Sequence, residues 1–383
     1  MMTTLLRIPV DGKVIQWAID NGEKNDEDLL KKYSINKWKN AKNKSDYPTF
    51  NQLQGFSRDT KIPFRYLIKS SIPEENNDFV KYRTVNNSDV LPSRKLVDTI
   101  HQMESRQAWM KQYLLEQKTN HKFDLLNQLS VNIDPISASS NVIDILNLSS
   151  VYQSFMTDDD FFSLLKNRIS DYGVLVMQNG IVGSNTQRPL NVDEFRAFVL
   201  IDDIVPLIFI NSKDSKTAKI FSLIHEFIHI LLGNNEILNV SPDVDVKDER
   251  WINTVTINVL MPKERVLKIV NWNDSPEDNV RKLSRKFHTS ILATSIRTVE
   301  LNIFSQKIVD WAQVEQKNAL ANKKSSSGGN FYNNAVSRVD LNFANAVISD
   351  EATGNMPLST AADMLGVSLK TYQKTVNKIL GLE

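Results

Sequence analysis

The chain of 383 residues has no cysteine and only five histidines. The first absence excludes disulfides and thiolate metal sites, and it fits a reducing compartment. An excess of charge of one sign is also missing. The 46 basic and 45 acidic residues leave a formal net charge of +1, so bulk electrostatics gives no reason to expect nucleic acid, a membrane surface or acidic partners. No run approaches the roughly 20 apolar residues of a membrane span. The opening "MMTTLLRIPVDGKV" has no apolar core of signal-peptide length. We therefore expect a cytoplasmic protein without membrane association. The composition, 41% hydrophobic and 24% charged, is that of a soluble globular chain. Its length suggests two or three units, each able to bury a core.

Two of the scarce histidines stand together in residues 221–233, "FSLIHEFIHILLG". Residues four apart lie one turn apart on the same face of a helix, so His225 and His229 point the same way, placed to grip one ion. Glu226, offset by one position, reaches beside the ion rather than onto it, where it can act as the base that takes a proton from an attacking water. The bland alternative is a pair of buried histidines hydrogen-bonded to backbone. The apolar flanks place the site on a buried helix, and catalytic zinc takes three protein ligands. Downstream, "KDERWINTVTINVLMP" offers Glu249, far enough past His229 for a loop and a return helix, with Asp245 and Asp248 competing for the same role. Asn253 follows Glu249 by one helical turn, placed to hydrogen-bond it.

Around this motif the chain divides into four stretches. Residues 1–70 read as a small helical module, with a helix over "GKVIQWAIDNG", another beginning at Pro48–Thr49 and a third after Pro63. Residues 71–150 read as a polar, turn-rich linker at 70–90 and a strongly periodic helix over 96–117. Residues 151–315 bring strands: "VLVMQNGIVG" with a turn at Asn179–Gly180, then two short strands in "EFRAFVLIDDIVPLIFIN" broken at Asp202–Asp203. The apolar "VPLIFIN" offers an edge along which an extended peptide can pair. After a flexible joint, "KSSSGG" at 324–329, residues 330–383 form a helical module in which "AADMLGVSLKTYQ" has helix-turn-helix spacing. Lys370, Lys374 and Lys378 give it only a weak grip on phosphate.

The segment "PLIFINSKDSKTAKIFSLIHEFIHILLG", followed by "ERWINTVTINVLMP", closely resembles the ImmA/IrrE family of zinc peptidases. Aligned on Leu260, Met261 and Pro262, the resemblance puts the family's asparagine at Asn253 and its third-ligand glutamate at Glu249. A later "LSRKFHTSILATSIRTVELNIFS" resembles the helical segment that follows the site, so the likeness covers roughly 165–310. It implies an α+β fold with a zincin-like core, a small sheet packed on the HExxH helix, flanked by helical amino- and carboxyl-terminal modules. It also implies Zn2+ held by His225, His229 and Glu249, with Glu226 as catalytic base. The pieces "WAIDNG", Lys37–Trp38 and "YPTFNQLQGFSRDTKIPF" resemble a degraded Xre-like helix-turn-helix, although the stretch from Leu30 to Trp38 is short for a recognition helix. The resemblance implies a regulatory endopeptidase that cuts a partner protein, a repressor or a toxin–antitoxin component. The alternative is a non-proteolytic antitoxin or scaffold that binds a toxin such as a PIN-like ribonuclease, with DNA binding by the amino-terminal module. No oxyanion stabiliser stands out. His288 has no partner at ligand spacing and Arg297 reads as a helix-surface residue, so both are expected to be structural.

Overall fold

The computed structural model describes residues 6–24, 26–73, 92–118, 122–233, 242–321 and 331–382, with the side chains of 153, 242–246 and 319–321 outside the description. The expected linker at 74–90 and the joint at 324–329 fall outside the described residues. Packing divides the chain into two units, the first ending within the helix Arg94–Glu116 and the second running from Met103 onward. No helix among the described residues is long and apolar enough to cross a membrane.

In the first unit, Thr49 caps the helix Phe50–Thr60 by a reciprocal box, its hydroxyl accepting from the Gln52 amide and the Gln52 side chain accepting from the Thr49 amide. Helix Gly12–Asp20 is capped in turn by Asp11. Their apolar faces close over Tyr33, Trp38 and Phe56, whose ring centroids lie 5.6–5.7 Å apart. Between them the stretch 26–39 holds two short helices, Asp26–Lys32 and Ile35–Lys39.

Among its described residues the second unit has five strands, β1 (Leu175–Asn179), β2 (Ile181–Val182), β3 (Asn185–Pro189), β4 (Ala197–Leu200) and β5 (Leu207–Asn211). β2 and β3 pair as a hairpin, and the others form a sheet in the order β1-β5-β4. β5 runs parallel to β1, with Leu175 opposite Leu207, and antiparallel to β4, with Leu200 opposite Leu207. A run without polar alternation suits a strand covered on both faces, and every residue of β5 is buried. Ile208 and Ile210 join the core beneath the helix Lys216–Leu232, whereas Phe209 stacks on Phe198 at 5.0 Å. The expectation that "VPLIFIN" supplies a pairing edge is overturned, because β5 is the central strand.

The sheet's outer edges are engaged by other elements. At β1 the Asp340 carboxylate accepts from the Val176 amide at 3.2 Å, and the Gln178 side chain donates to the Ser337 carbonyl at 2.9 Å. Asp340 also caps the helix Leu341–Ala352, so one buried side chain ties the carboxyl-terminal helices to the sheet. Near the end of β4, the Gln107 amide donates to the carbonyls of Leu200 and Val205. The carboxyl-terminal pair Leu358–Leu365 and Leu369–Ile379 turns at Gly366, whose φ of 70° is left-handed.

In the first unit, Asp59 accepts from Lys32 at 2.7 Å and Tyr33 at 2.8 Å, with Lys24 at 3.3 Å. Burial opposes its ionisation, but these three partners outweigh that and hold its carboxyl at about 2. Because this lies below the unfolded value of about 3.9, the cluster stabilises the unit fully above that pH and loses its effect as pH falls through about 2. A carboxyl NMR titration of the full chain is expected to place Asp59 near 2. A midpoint at or above about 3.9 would show that the cluster does not form in solution.

Candidate metal centre

The helix Lys216–Leu232, here the histidine helix, starts where Ser215 caps it by accepting from the Ala218 amide at 3.2 Å. It stops at Gly233, whose φ is 74°. A Cβ at Gly233 would stand 1.9 Å from Asn127 Oδ1, so both conformation and space require glycine there. Between these ends Ile220, Leu223, Ile224, Phe227, Ile228 and Leu231 are fully buried. The start is also positioned by Asn211, the last residue of β5, which donates to the Phe195 carbonyl and accepts from the Lys213 amide. The helix is therefore held along its length by packing and at its start by hydrogen bonds, which leaves its two imidazoles little freedom.

The return element is the helix Pro242–Leu260, here the glutamate helix. Trp251 anchors it by donating to the Ile133 carbonyl at 2.8 Å, and the Tyr152 hydroxyl donates to the Val259 carbonyl near its end. Glu249 is thereby brought over the histidine helix. His225 Nε2 and His229 Nε2 are 3.2 Å apart, and the Glu249 carboxylate lies 3.4 Å from the first and 3.7 Å from the second. These three form the candidate metal-holding cluster among the described residues. Ligand bonds of about 2.0–2.1 Å at tetrahedral angles set neighbouring donors about 3.3–3.4 Å apart. The separations of 3.2 and 3.4 Å lie close to that spacing while the second carboxylate oxygen stands farther out at 3.7 Å, and two nitrogens with a carboxylate are a donor set that suits zinc.

Burial works to raise the pKa of Glu249, but the two imidazoles outweigh it and hold the carboxyl well below the usual carboxylate range. It is thus ionised and ready to bind a cation. Asn253, one turn on, donates from Nδ2 to Glu249 Oε1 at 3.2 Å. Glu226 is buried in the histidine helix beside His225. Asp248 lies outside the three-residue cluster, and the side chain of Asp245 falls outside the described residues.

His288 is structural as expected. It adopts the left-handed conformation at the end of the helix Pro276–Phe287, stacks on Phe161 at 4.5 Å and pairs with Asp158 at 2.8 Å. Arg297 corrects the sequence reading. It is 6% exposed rather than on the surface, and it donates to the Asn258 side chain, to the Met261 carbonyl and to Glu300. Burial pushes its pKa below the usual arginine value, with Glu300 pulling the other way. It joins the helix Ile291–Glu300 to the end of the glutamate helix. Ser222, one turn before His225 in the same helix, is buried and was not singled out in the sequence.

Two histidines from one buried helix and a glutamate from the next thus come together as a cluster that could hold a metal ion. Residues 170–298 match the family model of the IrrE N-terminal-like domain, Peptidase_M78, so about a third of the chain is a peptidase-type domain of the ImmA/IrrE family. Searches of curated proteins and of solved structures gave no match.

The hydrogen bond from Asn253 gives a direct test of how the centre is held. Asn253→Ala is expected to weaken metal binding about 10- to 100-fold, read by competition with a chelator. An affinity within about twofold of the unmodified chain would show that Glu249 keeps its position without the amide.

Proposed function

We propose that this protein is a zinc-dependent endopeptidase that hydrolyses a peptide bond in a partner protein, a repressor or a component of a toxin–antitoxin pair. The observation that supports this most is the convergence of His225, His229 and Glu249 within 3.2–3.7 Å of one another, with an intact Glu226 in the same helix. The three would hold Zn2+, and Asn253 would keep the Glu249 carboxylate aimed at it. Zinc, when bound, supplies Lewis acidity toward the substrate carbonyl and lowers the pKa of the attacking water. Glu226 takes one proton from that water as its oxygen bonds to the carbonyl carbon. It returns the proton to the amide nitrogen as the carbon–nitrogen bond breaks, and so ends as it began. The cytoplasm, where the absence of cysteine carries no penalty, is the proposed compartment.

The competing reading is a scaffold or antitoxin that uses the same fold for binding alone, with the terminal helical modules as contacts for a toxin or DNA. An intact base beside an intact ligand set favours hydrolysis. The protein purified without added metal is expected to carry one zinc per chain, lost in His225→Ala and in Glu249→Ala. Glu226→Gln is expected to keep the zinc and to lower cleavage of a fluorogenic peptide library about 10²- to 10⁴-fold. No zinc in the unmodified chain, even after supplementation, would refute the proposal. Loss with His225→Ala but not with Glu249→Ala would move the third ligand to Asp245 or Asp248.

A further inference from the structure

A cleft of about 350 Å³ opens beside the candidate ligands, with Phe221 and Ile257 on its floor and the helix Ile291–Glu300 as its far wall. Both arginines on its lining are matched, Arg196 by Asp214 at 3.0 Å and Arg297 by Glu300 at 3.3 Å. Away from that cleft a third arginine is not. Arg106 stands in the part of the helix Arg94–Glu116 that belongs to the second unit, and it is 6% exposed. Among the described residues no hydrogen bond or ion pair meets its guanidinium, which lies 5.9 Å from the ring centroid of Phe343. Arginine is rarely this withdrawn from water without a counter-charge. Burial draws its pKa down to about 10, with no neighbouring charge to offset the effect. That value is still far above neutrality, so the side chain remains a cation.

The guanidinium ends at the bend between two carboxyl-terminal helices. Its Nη2 would stand 3.3 Å from a Cβ at Gly366, the residue that stops the helix Leu358–Leu365. The last carbonyls of that helix serve other groups, Ala362 accepting from the Val367 amide and Asp363 from the Gly366 amide. The Asp363 side chain is exposed and forms no ion pair with Arg106. Nε is sealed from solvent, whereas the two Nη nitrogens are not. A ligand therefore has access to the Nη edge, which the missing side chain of Gly366 leaves uncovered.

Two residues beyond Gly366 the cap of a second helix, Leu369–Ile379, is Ser368. Ser368 turns its hydroxyl to Thr371 Oγ1 at 2.9 Å rather than onto an amide, so the helix start has no side-chain cap. The Leu369 and Lys370 amides find no acceptor among the described residues, and residues 368–370 are exposed. The positive end of this helix and Lys370 thus lie at the bend where Arg106 emerges. Consecutive Cα atoms are about 3.8 Å apart, which puts the cap within about 8 Å of Gly366, a gap that one tetrahedral anion with a hydrogen bond on each side spans. We propose that this bend is a phosphate site, in which the Arg106 Nη nitrogens, the opening amides of the helix Leu369–Ile379 and Lys370 hold a dianionic phosphate, as orthophosphate or as the monoester of a small molecule. Two full positive charges and a helix start suit a dianion better than the single charge of a phosphodiester or a carboxylate. Sequence spacing marked this helix pair by its lysines alone, because Arg106 reaches it only in the fold. None of these residues belongs to the candidate metal cluster or to the cleft beside it.

Scanning calorimetry of the full chain tests the site. About 20 mM orthophosphate, compared with chloride at equal ionic strength, is expected to raise the unfolding transition by about 2 °C or more. Arg106→Met keeps most of the side chain's bulk and removes its charge. In chloride it is expected to unfold at the same temperature or higher, since the charge it removes is unmatched there. In phosphate it is expected to gain less than about half of the rise seen in the unmodified chain. Lys370→Ala, an exposed change, is expected to weaken phosphate about threefold or more and carries the test if Arg106→Met does not fold, as read by circular dichroism. Dimethyl phosphate, singly charged like a nucleic-acid backbone, is expected to give less than about half of the orthophosphate rise. An equal phosphate response in the unmodified chain and both variants would overturn the site. So would an Arg106→Met chain that unfolds more than about 4 °C lower in chloride, because Arg106 would then be stabilised without a ligand. A dimethyl phosphate response equal to that of orthophosphate would overturn the choice of a dianion.

Discussion

Everything at the centre depends on the burial of one helix. Residues 216–232 are pressed between a sheet on one side and the glutamate helix on another, and their apolar side chains are almost wholly withdrawn from water. Two imidazoles carried by such a helix cannot swing away, and His225 is itself 1% exposed. Leaving polar rings in that setting is costly unless each finds a partner. The Glu249 carboxylate meets both rings, and a bound cation would satisfy all three groups at once. Hydrophobic packing thus does the positioning, and the polar groups respond to it.

The parts of this arrangement that were legible in the sequence are those decided within a few residues. The separation of His225 and His229 fixes their common face whatever surrounds them. Ser215, Thr49 and Gly233 mark helix ends because capping is a local transaction between a side chain, or a left-handed backbone, and the nearest turn. Misreadings arose where distant segments decide. Arg297 stands among polar neighbours in sequence, and only the glutamate helix, supplying Asn258 and the Met261 carbonyl, turns it inward. The run "VPLIFIN" carried a usable hint, since a strand without polar alternation is covered on both faces, yet its place between β1 and β4 comes from pairings that sequence spacing does not display.

The cleft shows the same division of labour on a larger scale. Phe221 and Ile257 belong to the helices that carry the cluster, so its floor was implicit in the helical repeat. Its far wall comes from the helix Ile291–Glu300, which reaches the cleft only through tertiary packing. The cleft and the candidate metal cluster share two scaffolding helices, and the helix Ile291–Glu300 adds a wall to the cleft alone.

The carboxylate of Asp340 has a consequence for how this chain can be divided. It accepts from the Val176 backbone amide of β1, as a neighbouring strand's carbonyl would, and the Ser337 carbonyl accepts from the Gln178 side chain. A boundary drawn just after residue 315 would remove Asp340 and leave the Val176 amide of β1 without that acceptor. The carboxyl-terminal helices are in this sense part of how the β1 edge is satisfied, and a separately expressed second unit is expected to need the turn that delivers Asp340.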